Sequence, residues 1–127
     1  MTYFRREIER IRADLYGNNW QIANVIKTRR FLCENFDRPV SLDELSRARF
    51  TSKFHLLRLF KRYYGQTPGQ YLTELRIAKA KELLQSGKSV TETCFEVGFE
   101  SPASFSNLFR ERVGLAPKQF QKMSNIR

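Results

Sequence analysis

One helical face between residues 53 and 62 carries side chains suited to reading a charged, stacked polymer. Leu56, Leu59, Phe60 and Tyr63 form an i, i+3, i+4, i+7 stripe that must turn toward a core. Lys53, Phe54, Leu57, Arg58, Lys61 and Arg62 are then left pointing outward. An arginine fork matches the two acceptors on the major-groove edge of guanine, and apolar groups match the thymine methyl. Arg58 is therefore the candidate for guanine, and Phe54 and Leu57 for thymine, with Lys53, Lys61 and Arg62 suited to phosphates. The competing reading is a merely solvated basic face, and two apolar groups set among the charges speak against it. His55 is assigned to the surface or to a phosphate, with no catalytic or pH-sensing role.

A second stretch repeats the spacing with different chemistry. Phe105, Leu108 and Phe109 turn inward, joined by Val113 or the stem of Arg112, leaving Ala103, Ser104, Ser106 and Asn107 outward. Asn107 can pair with adenine, Ser104 offers a weaker base contact, and Arg110 and Lys118 suit phosphates. The first stretch should accordingly read more sequence than the second.

Catalysis is not expected. No Gly-rich phosphate loop, metal-ligand set or Ser/His/Asp arrangement occurs, and no cofactor is implied. Cys33 and Cys94 lie far apart in apolar settings, with one His in the chain, which predicts two buried, inert thiols rather than a zinc site or a disulfide.

Charge narrows the partner. The 127 residues hold 23 Lys and Arg against 13 Asp and Glu, a formal charge of +10, which favours polyanions. Eleven Phe and five Tyr are enough for a real core. Solubility alone would not group the basic residues, and a membrane-surface helix would concentrate them in one element instead of two matched ones. No apolar run approaches the ~18 residues of a bilayer span, and no export segment follows Met1, so a cytoplasmic location is expected.

The positioning elements emerge when the chain is laid on itself. Ser52, Leu56, Leu59, Phe60, Lys61, Gly65, Pro68, Gln70 and Tyr71 recur 49 positions later as Ser101, Phe105, Leu108, Phe109, Arg110, Gly114, Pro117, Gln119 and Phe120. Upstream, Ser41, Leu42, Glu44 and Ser46 recur 48 positions later as Ser89, Val90, Glu92 and Cys94. Both S-x-x-E segments are capping boxes that open short helices. Second helices start at Thr51 or Ser52 and at Ser101-Pro102, and stop at Gly65 and Gly114. A short helix, a tight turn and a longer basic helix make a helix-turn-helix, here built twice.

The fold is therefore expected to be all-α: two helix-turn-helix subdomains joined by a central linker helix, with an additional N-terminal helix. The divisions are residues 1–19 for the N-terminal helix and connector, 20–66 and 88–127 for the two subdomains, and 67–87 for the linker. The linker, from Thr67-Pro68 to about Gln85, is apolar on two faces, one with Tyr71, Leu75 and Ala78 and one with Ile77, Ala80 and Leu84. At roughly 25 Å it suits a strut between reading helices about one DNA turn apart. A helix from Trp20 to about Phe36 is expected to face inward with Ile22, Val25, Ile26, Cys33 and Phe36. Gly17-Asn-Asn19 should part it from an earlier helix marked by Phe4, Ile8, Ile11 and Leu15, which either caps the core or serves a partner, a dimer contact or a missing domain.

Residues 41 to about 120 resemble the AraC/XylS family of bacterial transcription regulators. The likeness rests on Glu96-Val-Gly-Phe-Glu-Ser101, Phe105, Leu108-Phe109-Arg110, Gly114, Pro117 and Phe120. In the first copy it rests on Arg58-Leu-Phe-Lys61, Gly65, Thr67-Pro68, Tyr71-Leu72 and Arg76-Ile-Ala-Lys-Ala80. The resemblance implies binding of double-stranded DNA as a monomer on an asymmetric site, modest DNA bending and influence on RNA polymerase. It also implies base contacts at Phe54, Leu57 and Arg58, although Leu57 stands where near relatives carry a polar residue and Asn107 where members often carry Arg. With no room for a ligand-binding domain the chain is similar to the stand-alone members; the alternative is the DNA-binding fragment of a larger, ligand-responsive regulator. Alkylation-repair enzymes share the module, but neither Cys33 nor Cys94 sits in a Pro-Cys-His setting like theirs.

Overall fold

The computed structural model describes residues 2–48 and 51–125, the side chains of 2–4 and 11–18 excepted. Among the described residues it is helical throughout, with seven helices and no strand: α1 (Thr2–Asn35), α2 (Leu42–Ala48), α3 (Lys53–Tyr64), α4 (Pro68–Gln85), α5 (Val90–Glu96), α6 (Pro102–Val113) and α7 (Pro117–Ser124). They fall into two compact units, one of Met1–Phe31 with Leu42–Pro68 and the other of Leu32–Ser41 with Gly69–Arg127. From Gly69 onward, then, the linker helix α4 belongs to the second unit.

In the first unit α2 packs on α3, and Val25, Leu45, Leu56, Leu59 and Phe60 are buried. Tyr63, expected inside, is instead well exposed at the far end of α3, and its neighbour Tyr64 turns in to stack on Phe60 at 4.8 Å.

In the second unit Ile77, Ala80 and Leu84 of α4 close over Cys94, Val97, Phe105 and Phe109. Phe99, Phe105, Phe109 and Phe120 continue that core as a chain of rings 5.2, 5.7 and 5.4 Å apart. On the other expected face of α4, Tyr71 and Leu75 are half-buried and Ala78 is exposed. Ala78 thus departs from the expected pattern: a side chain so small carries little apolar area, and its spacing says little about burial.

Arg76 ties the loop after α1 to this core. Its Nε donates to the Phe36 carbonyl at 2.7 Å and an η nitrogen to the Arg38 carbonyl at 2.9 Å, with the guanidinium 5.6 Å from the Phe99 ring. Burial lowers its pKa against the opposing pull of Asp37. Across the same loop, Gly98 has φ +93, and a Cβ there would lie 2.8 Å from the Phe36 carbonyl oxygen. Only glycine fits that approach.

The N-terminal region differs from expectation in two respects. First, α1 runs unbroken through Gly17-Asn-Asn19. Glycine and asparagine weaken a helix by about 1 kcal/mol or less each, and without a proline they do not end one. Second, the buried face of α1 is Asn24, Val25, Thr28 and Leu32, while Ile22, Ile26 and Cys33 are exposed and Phe36 is half-buried. The Thr28 hydroxyl donates to the Asn24 carbonyl at 2.8 Å, so a buried threonine is satisfied by its own helix and holds a place that an apolar count would give to isoleucine. Of the predicted residues Phe4, Ile8, Ile11 and Leu15, only Ile8 lies among the described side chains, and it is exposed.

Candidate nucleic-acid interface

α3 is fixed at both ends by its own sequence. The Ser52 hydroxyl accepts the His55 N–H at 3.1 Å, and Gly65, in the left-handed conformation, donates its N–H to the Lys61 carbonyl at 2.8 Å. With Leu56, Leu59 and Phe60 buried, rotation about the helix axis is set as well. Phe54 is left 69% exposed, with Lys53, Arg58, Lys61 and Arg62 also exposed and Leu57 and His55 half-buried. A phenyl ring standing largely in water on a cationic face is apolar surface open to a partner. Lys53 is not wholly free: its Nζ lies 3.4 Å from Asp43 Oδ1 and 6.0 Å from the Phe54 ring centre. An exposed pair of this kind is weak, so a phosphate can displace Asp43.

α6 repeats the construction. The Ser101 hydroxyl accepts the Ser104 N–H at 3.2 Å, Pro102 opens the helix, and Gly114 closes it through its N–H to the Arg110 carbonyl at 2.8 Å. Phe105 and Phe109 are buried as expected, whereas Leu108 and Val113 are only half-buried and Arg112 reaches Glu74 at 2.8 Å. Outward stand Ala103, Ser104, Asn107 and Arg110, all exposed, and a half-buried Ser106. Ser104 is also committed locally, since its hydroxyl oxygen accepts from Ser101 at 3.0 Å. Lys118 is exposed in the first turn of α7.

The candidate residues thus form two groups, each within one unit: Lys53, Phe54, Leu57, Arg58, Lys61 and Arg62 on α3, and Ser104, Asn107 and Arg110 on α6 with Lys118 on α7. An open cleft of about 350 Å³ beside the start of α6 is lined in part by Arg76, Phe99, Ser101 and Ser104. Its Arg76 is already donating to two backbone carbonyls and its Ser104 hydroxyl is engaged, which leaves little aimed at a small molecule. Sequence reasoning passed over Phe95, which stands half-exposed on α5 beside Glu92 and Glu96. An apolar residue between two acidic ones was the available signal.

Cys94 is buried, and desolvation pushes its thiol pKa up, as suits an inert position. Cys33 departs from expectation: it is exposed, with its Sγ 4.0 Å from the Tyr71 hydroxyl. Among the described residues no group of His, Cys, Asp and Glu could hold a metal ion, and no helix is long and apolar enough to cross a membrane.

The family model described as "Helix-turn-helix domain" matches residues 45–123. The chain is 34% identical over 86 residues to the HTH-type transcriptional regulator ArgR of Pseudomonas aeruginosa, covering 67% of this chain and 26% of that protein. The C-terminal domain of AraT, a response regulator from Geobacillus stearothermophilus, superposes with a TM-score of 0.76 at 26% identity, covering 79% of this chain and 84% of that one. A transcriptional regulator of Chromobacterium violaceum, described among AraC-type DNA-binding domain-containing proteins, gives 0.71 at 28% identity, covering 87% and 97%. The chain spans between 23% and 61% of the length of the curated relatives it matches. With two capped helices of matched build and this set of relatives, the chain belongs to the helix-turn-helix domain family, in the tandem form shared by AraC-type and response-regulator transcription factors.

Proposed function

We propose that the chain is a transcription regulator of the AraC/XylS type that reads one asymmetric DNA site with both units, one chain per site. α3 and α6 enter adjacent major grooves. Arg58 pairs with guanine, Phe54 and Leu57 meet thymine methyls, and Asn107 and Ser104 supply the lesser base contacts. Lys53, Lys61, Arg62, Arg110 and Lys118 hold phosphates. RNA polymerase is the downstream partner. The observation that carries this reading is the exposed Phe54 on the cationic face of α3, whose rotation is locked by three buried residues. A second reading, a DNA-binding part of a larger ligand-responsive regulator, draws support from the greater length of the relatives.

Selection of bound fragments from random DNA tests both, at ~0.15 M salt with competitor to suppress nonspecific binding. Recovery of an asymmetric motif spanning two major grooves, lost on Arg58→Ala, supports the proposal. A single short half-site would confine reading to one unit, and no motif would favour a missing domain or partner. Nonspecific affinity should fall steeply with salt; a flat response would contradict the phosphate assignments.

A further inference from the structure

The N-terminal half of α1 is a helix whose sequence carries an apolar stripe. Its apolar residues Phe4, Ile8, Ile11, Leu15 and Ile22 follow alternating steps of four and three, with Asn18 filling the remaining place. That is the seam of a heptad repeat, with Phe4, Ile11 and Asn18 at d and Ile8, Leu15 and Ile22 at a. The backbone is helical across the whole stretch. Where this seam can be seen it is open to water: Ile8 is 38% exposed and Ile22 40%, and among the described side chains of α1 the first buried one is Asn24. A helix this long holds together in water mainly by burying such a stripe.

The flanking charges say what covers it. The g positions are Glu7, Asp14 and Gln21, and the e positions are Arg5, Arg12 and Asn19. Two parallel copies in register set each g residue against the e residue five places on in the other chain, which brings Glu7 to Arg12 twice. An antiparallel pair would set acid against acid and arginine against arginine. Glu7 already pairs with Arg10 on its own helix, an exposed contact that costs little to exchange.

We propose that residues 4–22 of α1 form a parallel two-stranded coiled coil with a second copy of this chain. Each copy then engages its own DNA site, and the coil holds the two reading modules at high effective concentration. The pairing does not depend on the DNA contacts proposed above.

Sedimentation velocity on the full chain across the micromolar range tests it. A concentration-dependent dimer is expected, which Ile8→Lys and Leu15→Lys each convert to monomer while affinity for a single DNA site is kept. Glu7→Arg or Arg12→Glu alone should weaken pairing several-fold, and the two together should restore it, which a merely structural role for these residues would not produce. In a Cys33→Ser background, Asn18→Cys should cross-link chains on mild oxidation, because identical d positions meet only in the parallel register. A monomer at every concentration, a dimer indifferent to Ile8→Lys, or a charge swap that fails to restore pairing would overturn the proposal. Arg58→Ala should leave the dimer intact, so failure of the DNA reading and failure of the coil are separable.

Discussion

α3 and α6 are the same element made twice, with different outward faces. Both are capped by a serine hydroxyl on the N–H three residues on, and both end at a left-handed glycine. Each buries an aromatic at the repeat-matched position, Phe60 and Phe109. On the outside, position by position, Phe54 corresponds to Ala103, Leu57 to Ser106 and Arg58 to Asn107. The inward residues answer to packing, which both units need alike. The outward ones do not, and in the DNA reading proposed above the long cationic and aromatic groups of α3 reach further into a groove than serine, alanine or asparagine. Duplicated architecture therefore does not imply duplicated reading.

Four comparisons would break or sharpen that contrast. Phe60→Ala and Phe109→Ala should each cost about 3–5 kcal/mol in denaturant melts, because both rings are fully buried. A large inequality between them would show that the two cores are not equivalent. Gly98→Ala should cost about 3 kcal/mol, since it combines a positive φ with a backbone clash, while Gly114→Ala, with open space around it, should cost about 1 kcal/mol. Equal losses would mean that the Phe36 carbonyl moves aside freely.

The two remaining tests address the outward faces and the caps. Arg58→Ala should weaken specific DNA binding by about 1–3 kcal/mol and relax preference at one base, with Asn107→Ala costing less. Asn107→Arg should then tighten binding and sharpen the second half of the motif. If Asn107→Ala proves the more damaging in competition assays, the order of the two units is reversed. The smallest effect is the one the contrast predicts to be equal: Ser52→Ala and Ser101→Ala should each lower stability by about 1 kcal/mol, read from thermal melts.

The helix-turn-helix pairs were legible because their signals are local. A serine hydroxyl reaches an N–H three residues away, and a left-handed glycine closes the helix through a carbonyl four residues back. The inward face of α3 was legible for Leu56, Leu59 and Phe60, whose spacing is unambiguous, but not for Tyr63, which overruns the end of the core. On α6, the half-burial of Ser106 and the Ser101–Ser104 hydroxyl contact depend on packing and rotamer, which composition does not carry. The face of α1 was misread because a buried threonine bonded to its own helix looks polar in sequence, while Ile22 and Ile26 look like core.

By itself, then, the sequence determined the class of fold, the repeat, the ends of α3 and α6 and the cationic chemistry of α3, all of them properties of neighbouring residues or of bulk composition. Only the tertiary structure decided that α1 is one helix, that Arg76 and Gly98 lock the loop around Phe36, that Cys33 is exposed while Cys94 is buried, and that Ile8, Ile22 and Ile26 of α1 stay in water. The physical reason is that burial is a property of pairs of surfaces. A periodicity shows that a helix has a face to hide, and only the surface that meets it decides which face is hidden.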